Sequence, residues 1–145
     1  MKIVLQRVSS ASVKVDNEIV GSIDHGMLLL IGFSSSDTEE SILPTLEKIV
    51  KLRVFSDEEG KMNKSVLDVE GSMLLISQFT LYADTKKGNR PSFIEAARPE
   101  QAIPLYEFFI TEMKKRIAKV ETGIFGADMK VDLVNDGPVT IVFET

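Results

Sequence analysis

The stretch LLISQFTLYAD, Leu74 to Asp84, constrains the fold more than any other part of the chain. Its first half is continuously apolar, the pattern of a strand buried within a sheet. Ser77, Gln78 and Thr80 then put polar side chains into the same run. A buried polar group costs free energy unless it finds a hydrogen-bond partner or serves a ligand. The stretch therefore reads as a central strand, Met73 to Ala83. Its polar end is either a satisfied piece of core or one wall of an active site.

The flanking segments predict what this strand packs with. Lys2 to Val8 reads as a strand with Gln6 and Arg7 breaking its pattern, so Arg7 marks a functional or salt-bridged end. Ala11–Val15 and Glu18–Ile23 form the arms of a hairpin about Asp16-Asn17, and Met27–Phe33 is a second buried strand. Ser36 and Glu39 have capping-box spacing ahead of Ile42, Leu46, Ile49, Val50 and Leu52, which recur at helical intervals; Pro44 sits in an early turn or kinks the helix. Phe55–Val66 is polar and turn-rich, a loop or short hairpin. Asp84–Phe93 is a loop longer than a structural connection needs, the kind that often holds ligands. A second helix is predicted over Pro99–Val120, with Leu105, Phe108, Phe109, Met113 and Ile117 on one face. A strand through Met129, Val131 and Leu133 and a last one over Val139–Phe143 follow. The expected fold is one α+β domain over residues 1–145, with two principal helices and a strongly curved, mainly antiparallel sheet or barrel. At 145 residues and 43% hydrophobic, the chain is long enough to close a core.

Several classes of chemistry lack their residues. There is no cysteine, and one histidine cannot build a multi-histidine metal centre. His25 lies in a turn, IDHGM, with no nucleophile elbow to serve. Asp57, Glu58 and Glu59 sit in a solvated loop, Glu39 and Glu40 at a helix start, and no glycine-rich phosphate loop precedes a helix. No metal or cofactor is expected. MKIVLQRV falls short of a signal-peptide core and Met27–Phe33 is too short to span a bilayer, so the expected setting is the cytoplasm, with no membrane partner. A net charge of -5 argues against coating of a nucleic-acid duplex but leaves room for a local basic mouth. Lys86, Lys87 and Arg90 are one candidate; Lys114, Lys115, Arg116 and Lys119 are the other, though a helical cluster of this kind is usually a solvated face.

Ser77, Gln78 and Thr80 are thus neutral groups at the end of a buried strand, next to backbone N–H groups where that strand must turn. Such a site has no strong base, yet it can stabilise a developing oxyanion and orient a water or a substrate hydroxyl, which suits an activated ester. The structural alternative is that these side chains satisfy backbone groups at a sheet edge. A second unusual feature is NDGPVT, Asn135 to Thr140, where a proline that cannot donate to a ladder stands between two strands. A Gly137-Pro138 bond in the cis form would turn adjacent carbonyl oxygens to one side, able to hold an ammonium group; a plain tight turn is the other reading.

LQRVSSASV, FSDEEGKMNKSV, SQFTLYAD, KGNRPSF and NDGPVT, in this order over essentially the whole chain, resemble the D-aminoacyl-tRNA deacylase family. The resemblance implies a homodimer with active sites at the subunit interface. It would hydrolyse the ester joining a D-amino acid, or glycine, to the terminal ribose of tRNA. By that resemblance Ser77, Gln78, Phe79 and Thr80 form the catalytic motif, and Gly137 and Pro138 match the cis Gly-Pro motif that enters the partner's site and rejects L-aminoacyl esters. Phe125 matches the phenylalanine at the terminal adenine, and Arg7 the arginine supporting the Gly-Pro segment. The family precedent makes Thr80 a positioning group rather than a nucleophile, with the free 2′-hydroxyl of the ribose helping to activate water. Lys86, Lys87 and Arg90 become the candidates for phosphates of the acceptor end. Two rival readings are a non-enzymatic dimeric module binding an amino compound or a nucleic-acid end, and a metal-dependent hydrolase, for which the ligands are wanting.

Overall fold

Alternating apolar residues draw Lys2–Val15 into one strand, β1, where the sequence predicts two. Its length lets it serve two cores: Ile3 and Leu5 pack on the side of the helices, whereas Val8, Ala11 and Val13 belong to a second cluster. The computed structural model describes residues 1–145, and the other elements follow in chain order. They are β2 (Glu18–Ile23), β3 (Gly26–Gly32), α1 (Glu39–Lys51), β4 (Phe55–Ser56), β5 (Met62–Lys64), β6 (Ser72–Ser77), α2 (Pro99–Lys114), β7 (Val120–Thr122) and β8 (Lys130–Glu144).

One edge of β1 is shared by two antiparallel partners in succession, β3 along Lys2–Val8 and β2 along Ala11–Val15. Its other edge carries β8 from Lys2 to Lys14. The β1–β2 turn is the predicted one, with Asp16 and Asn17 both at positive φ, 51° and 65°, as a two-residue hairpin loop requires. Beyond β3 the sheet changes character. β3 pairs parallel with β6, and β6 parallel with β7, so the sheet is mixed rather than mainly antiparallel. Parallel neighbours need a crossover, and the chain supplies two: α1 with the β4–β5 hairpin between β3 and β6, and α2 between β6 and β7. β2 folds back against β6 and β7, nearly closing a barrel; a Cβ at Gly21 would come within 2.7 Å of the Thr122 carbonyl oxygen.

The apolar runs acquire their meaning here. In β3 and β6, Met27, Leu29, Met73 and Leu75 face the helices and pack with Ile42, Leu46, Ile49, Leu105, Phe109 and Met113. Leu28, Leu74 and Ile76 point the other way, into the cluster with Val8, Val13 and Ile23. Strands covered on both faces must be apolar at every position.

Both helices depart from the predicted boundaries. The cap of α1 is Thr38 rather than Ser36: Ser41 N–H donates to Thr38 Oγ1 at 3.2 Å and Thr38 N–H to Ser41 Oγ at 3.0 Å, with Pro44 accommodated inside the helix. Ser36 stays in the preceding turn, where Asp37 accepts from Ser34 N–H and Oγ. α2 stops at Lys114 instead of Val120, because the chain must turn back to feed the third parallel strand; Ile117, though past the helix, is still buried. The two predicted C-terminal strands are one, β8, with an outward step at Asp136–Val139. No helix is long and apolar enough to cross a membrane.

Candidate functional site

β6 leaves the ladder earlier than predicted. Its last sheet bond runs from Gln78 N–H to the Ile31 carbonyl, 2.7 Å, and Phe79–Tyr82 then form a single 3-10 turn in place of a continuing strand. The first bond of that turn is Leu81 N–H to the Gln78 carbonyl, so the Phe79 and Thr80 N–H groups precede it and have no acceptor one turn back. Gln78 Nε2 donates to Thr80 Oγ1 at 2.5 Å, holding the two polar side chains together across the turn. Phe79 is 55% exposed.

Ser77, Gln78 and Phe79 form one wall of a cavity of about 270 Å³ whose opposite wall is Phe125 to Met129, with Ile76 and Val131 beneath. The floor depends on Gly123: a Cβ there would sit 2.4 Å from Met129 Sδ and 3.1 Å from Ile76 Cδ1. Phe125 rests 6.0 Å, centroid to centroid, from Tyr106. The Tyr106 hydroxyl donates to the Leu75 carbonyl at 2.8 Å, and burial pushes its phenol far above the ordinary range, so it remains a donor. α2, β6 and the loop after β7 are thereby tied at the back of the cavity. A second, strongly apolar hollow of about 340 Å³ shares Phe79 and Phe125 with the first and is lined also by Phe93, which meets Phe79 edge-on at 5.1 Å, and by Arg98.

The electrostatics are sparse. Asp128 is the one carboxylate lining the first cavity, and it is bonded to Lys130 at 2.9 and 3.1 Å. His25 lies in the β2–β3 turn with its ring against Phe55. No three His, Asp or Glu side chains stand close enough together to hold a metal ion. Ser77 and Gln78 bring a hydroxyl and an amide to the wall near Phe79, while Thr80, next in the turn, does not itself line the cavity. Neutral groups of this kind can stabilise a negative oxygen but cannot strip a proton from water.

Gly137 and Pro138 stand elsewhere, exposed, and do not line this cavity. The register pairs Gln6 with Thr140 and Val8 with Asn135, so Arg7 alone faces the four residues Asp136–Val139; Asp136, Gly137 and Pro138 are forced outward, while Val139 turns back against the main core. Asn135 closes the base of the protrusion, accepting from Val139 N–H at 2.8 Å and donating to the Val139 carbonyl at 3.2 Å. The buried Arg7 props it from below, through Nε to the Asp136 carbonyl at 2.8 Å and Nη1 to the Val54 carbonyl at 2.7 Å. The Gly137–Pro138 bond is cis, and Gly137 has φ 142°.

The cations sort by their partners. Lys86, Lys87 and Arg90 are exposed and form no ion pair, in a loop pinned by the Asp84–Ser92 bridge; they line neither hollow, although the loop ends in Phe93, which does. In the helical cluster, Lys115 is bonded to Glu112, and Arg116 to Glu47 and Glu112 at 2.7 and 2.9 Å. Arg116 holds the Glu47 carboxyl below its usual range, and Lys115 and then Arg116 do the same for Glu112. Lys114 and Lys119 remain unpaired there. The sequence pattern points to the loop that ends in Phe93 and to the segment that begins at Asn135, but not to Arg98 or Ala127 as lining residues.

Residues 4–144 match the family model described as D-Tyr-tRNA(Tyr) deacylase. A D-aminoacyl-tRNA deacylase of Brevibacillus brevis is 56% identical over 145 residues, the whole of both chains. A solved structure described as c-Myc DNA Unwinding Element Binding Protein is 44% identical, with a TM-score of 0.94, over 100% of this chain and 99% of the other. A probable eukaryotic D-amino acid tRNA deacylase shares the fold at 18% identity, with a TM-score of 0.84, over 98% and 97% of the two chains.

Proposed function

This chain belongs to the D-Tyr-tRNA(Tyr) deacylase family and is a hydrolase of the aminoacyl-tRNA ester, and we propose from that premise that it proofreads chirality with a site shared between two copies of itself. The observation that carries the reading is the turn at the end of β6, where Phe79 and Thr80 N–H groups precede the first turn bond beside a cavity whose one carboxylate, Asp128, is paired with Lys130.

In this mechanism the terminal adenosine lies against Phe125, and the ester carbonyl faces the Phe79 and Thr80 N–H groups, which stabilise the oxyanion as water adds. The proton relay is the substrate's own: the free 2′-hydroxyl of the ribose positions and activates the water, so no protein base is required. Ser77 and Gln78 orient the ester and Thr80 positions it; an unassisted threonine hydroxyl is too weakly activated to attack. Gly137 and Pro138 enter from the second subunit and hold the α-ammonium through main-chain carbonyls. With ammonium and carbonyl both fixed, a D side chain points to solvent and an L side chain meets backbone that cannot retreat. That is discrimination by exclusion. Glycine has nothing to exclude, so glycyl-tRNA is also hydrolysed. Lys86, Lys87 and Arg90 meet acceptor-end phosphates, residues 1–145 act as one deacylase domain, and the setting is cytoplasmic.

The test is release of D-tyrosine and L-tyrosine from their tRNA esters by the purified protein after chelator treatment. Fast release from the D-ester alone is the expected result. Equal, background release from both would overturn the reading in favour of a non-enzymatic module for a nucleic-acid end, the alternative to which the DNA-binding name of the 44% identical structure gives weight.

A further inference from the structure

The apolar hollow beside the reacting cavity does not end at Phe93. Phe93, Ala96 and Arg98 are shared with a third depression of about 550 Å³, bounded further by Ser35, Ile94 and Gln101. The three hollows thus adjoin one another through shared lining residues, in a row from Ser77 to the start of α2. Its far end is built rather than loose: Gln101 Nε2 donates to the Ser35 carbonyl at 3.0 Å and to the Asp37 carbonyl at 3.3 Å, tying α2 to the turn after β3. Two features along it lack partners within the chain. Ile94 is 91% exposed next to the half-buried Phe93. Arg98 is exposed, forms no ion pair, and is the only cation lining the second and third hollows.

An aromatic or aliphatic step beside an unpaired cation is the pattern by which proteins follow a single nucleic-acid strand: bases stack on the apolar surface while phosphates meet the charge. A guanidinium suits a phosphate because it donates two parallel bonds. Resting on the deacylase reading, we infer that Arg98 binds the phosphate joining the terminal nucleotide of the tRNA to the one before it, and that Phe93 and Ile94 carry the preceding base. The strand thus leaves the cavity along the start of α2. Glu100 lines the same depression and Glu95 is exposed nearby, so the groove carries opposing charge; that makes the inference testable in both directions.

Two substrates separate this inference from the reading beneath it: D-tyrosyl-tRNA, and the short ester 3′-D-tyrosyl-adenosine, which has no phosphate or preceding base. For Arg98→Gln, kcat/KM on the tRNA should fall about tenfold more than on the short ester, and the log–log salt dependence of tRNA binding should flatten by about one contact. Glu100→Gln should shift the same ratio the opposite way. If Arg98→Gln lowers both substrates alike and leaves the salt slope unchanged, Arg98 does not touch the strand and the inference is wrong. Failure of the wild-type protein on both substrates would remove the deacylase reading, and this inference with it.

Discussion

The turn after β6 and the protrusion on β8 present main-chain groups to the outside by opposite means. At Gln78 the chain abandons the ladder, and the hollow that results is walled by loops. At Asp136–Val139 the chain stays in the ladder on both sides, and the surplus residues are pushed out over the buried Arg7. One region is concave and offers N–H groups; the other is convex and rests on a charged prop. They share no cavity within one chain. The proposed shared site requires a second molecule to bring its protrusion to the first molecule's hollow, and it would rely on backbone rather than side-chain variety at both places.

The largest effect is expected at Gly137. A Cβ there would lie 3.0 Å from Arg7 Nη2 and from Val139 Cγ2, at a φ of 142° that L side chains rarely adopt. Gly137→Ala should lower D-ester hydrolysis on the order of a hundredfold, the scale of a small misplacement in a reacting complex, while circular dichroism shows an intact fold. Mixing it with Ala127→Trp, which fills the hollow, should restore activity if subunits exchange, since one site of the hybrid has both halves wild type. Activity no greater than the sum of the parents would place both halves in one chain after all. Next in size is Arg7→Met. It strips donors from the Asp136 and Val54 carbonyls, and thermal unfolding should register about 2 kcal/mol of lost stability together with weakened D-ester hydrolysis. On the side of the hollow, replacing Lys86, Lys87 and Arg90 together by Ala should raise KM on tRNA several-fold and flatten its salt dependence, with kcat little altered. An unchanged salt slope would move attention to Lys114 and Lys119. The smallest effect belongs to Thr80→Ala, which removes the acceptor of Gln78 but should keep most of the rate, within roughly twofold. A trapped acyl-Thr80 species would reverse that expectation.

Local chemistry made much of this legible. Asp16-Asn17 announced a hairpin, the apolar runs announced buried strands, and a proline between strand patterns marked the protrusion. Direction did not come through. A short run buried on both faces reads the same whether its neighbour is parallel or antiparallel, although continuous apolarity in both β3 and β6 was itself the hint of parallel neighbours. The end of β6 was overrun for a related reason: Phe79, Leu81 and Tyr82 keep up a strand-like apolar count while the backbone has already turned. Ser36 and Thr38 are both good caps; Ser36 Oγ is engaged in the turn with Ser34 Oγ at 3.0 Å, and it is Thr38 that exchanges bonds with Ser41. The cavity walls supplied by Phe93, Ala127 and Met129 come from separate connections, brought together by tertiary packing that no local pattern encodes.

The mixed sheet has one more consequence. β3, β6 and β7 run the same way, so all three chain exits fall on one rim, and the connections leaving it supply Ser35, then Phe79 through Arg98, then Phe125 through Met129. Ligands gather at such carboxyl ends in parallel sheets generally. Here it divides the labour of adaptation. Exit loops can lengthen, shorten or change charge to suit another nucleic-acid end without disturbing a ladder, whereas the step over Arg7 is locked into β1 and can change only by reworking the sheet. On the proposed function, the surface that meets the polynucleotide can drift over evolutionary time, and the step assigned to handedness cannot.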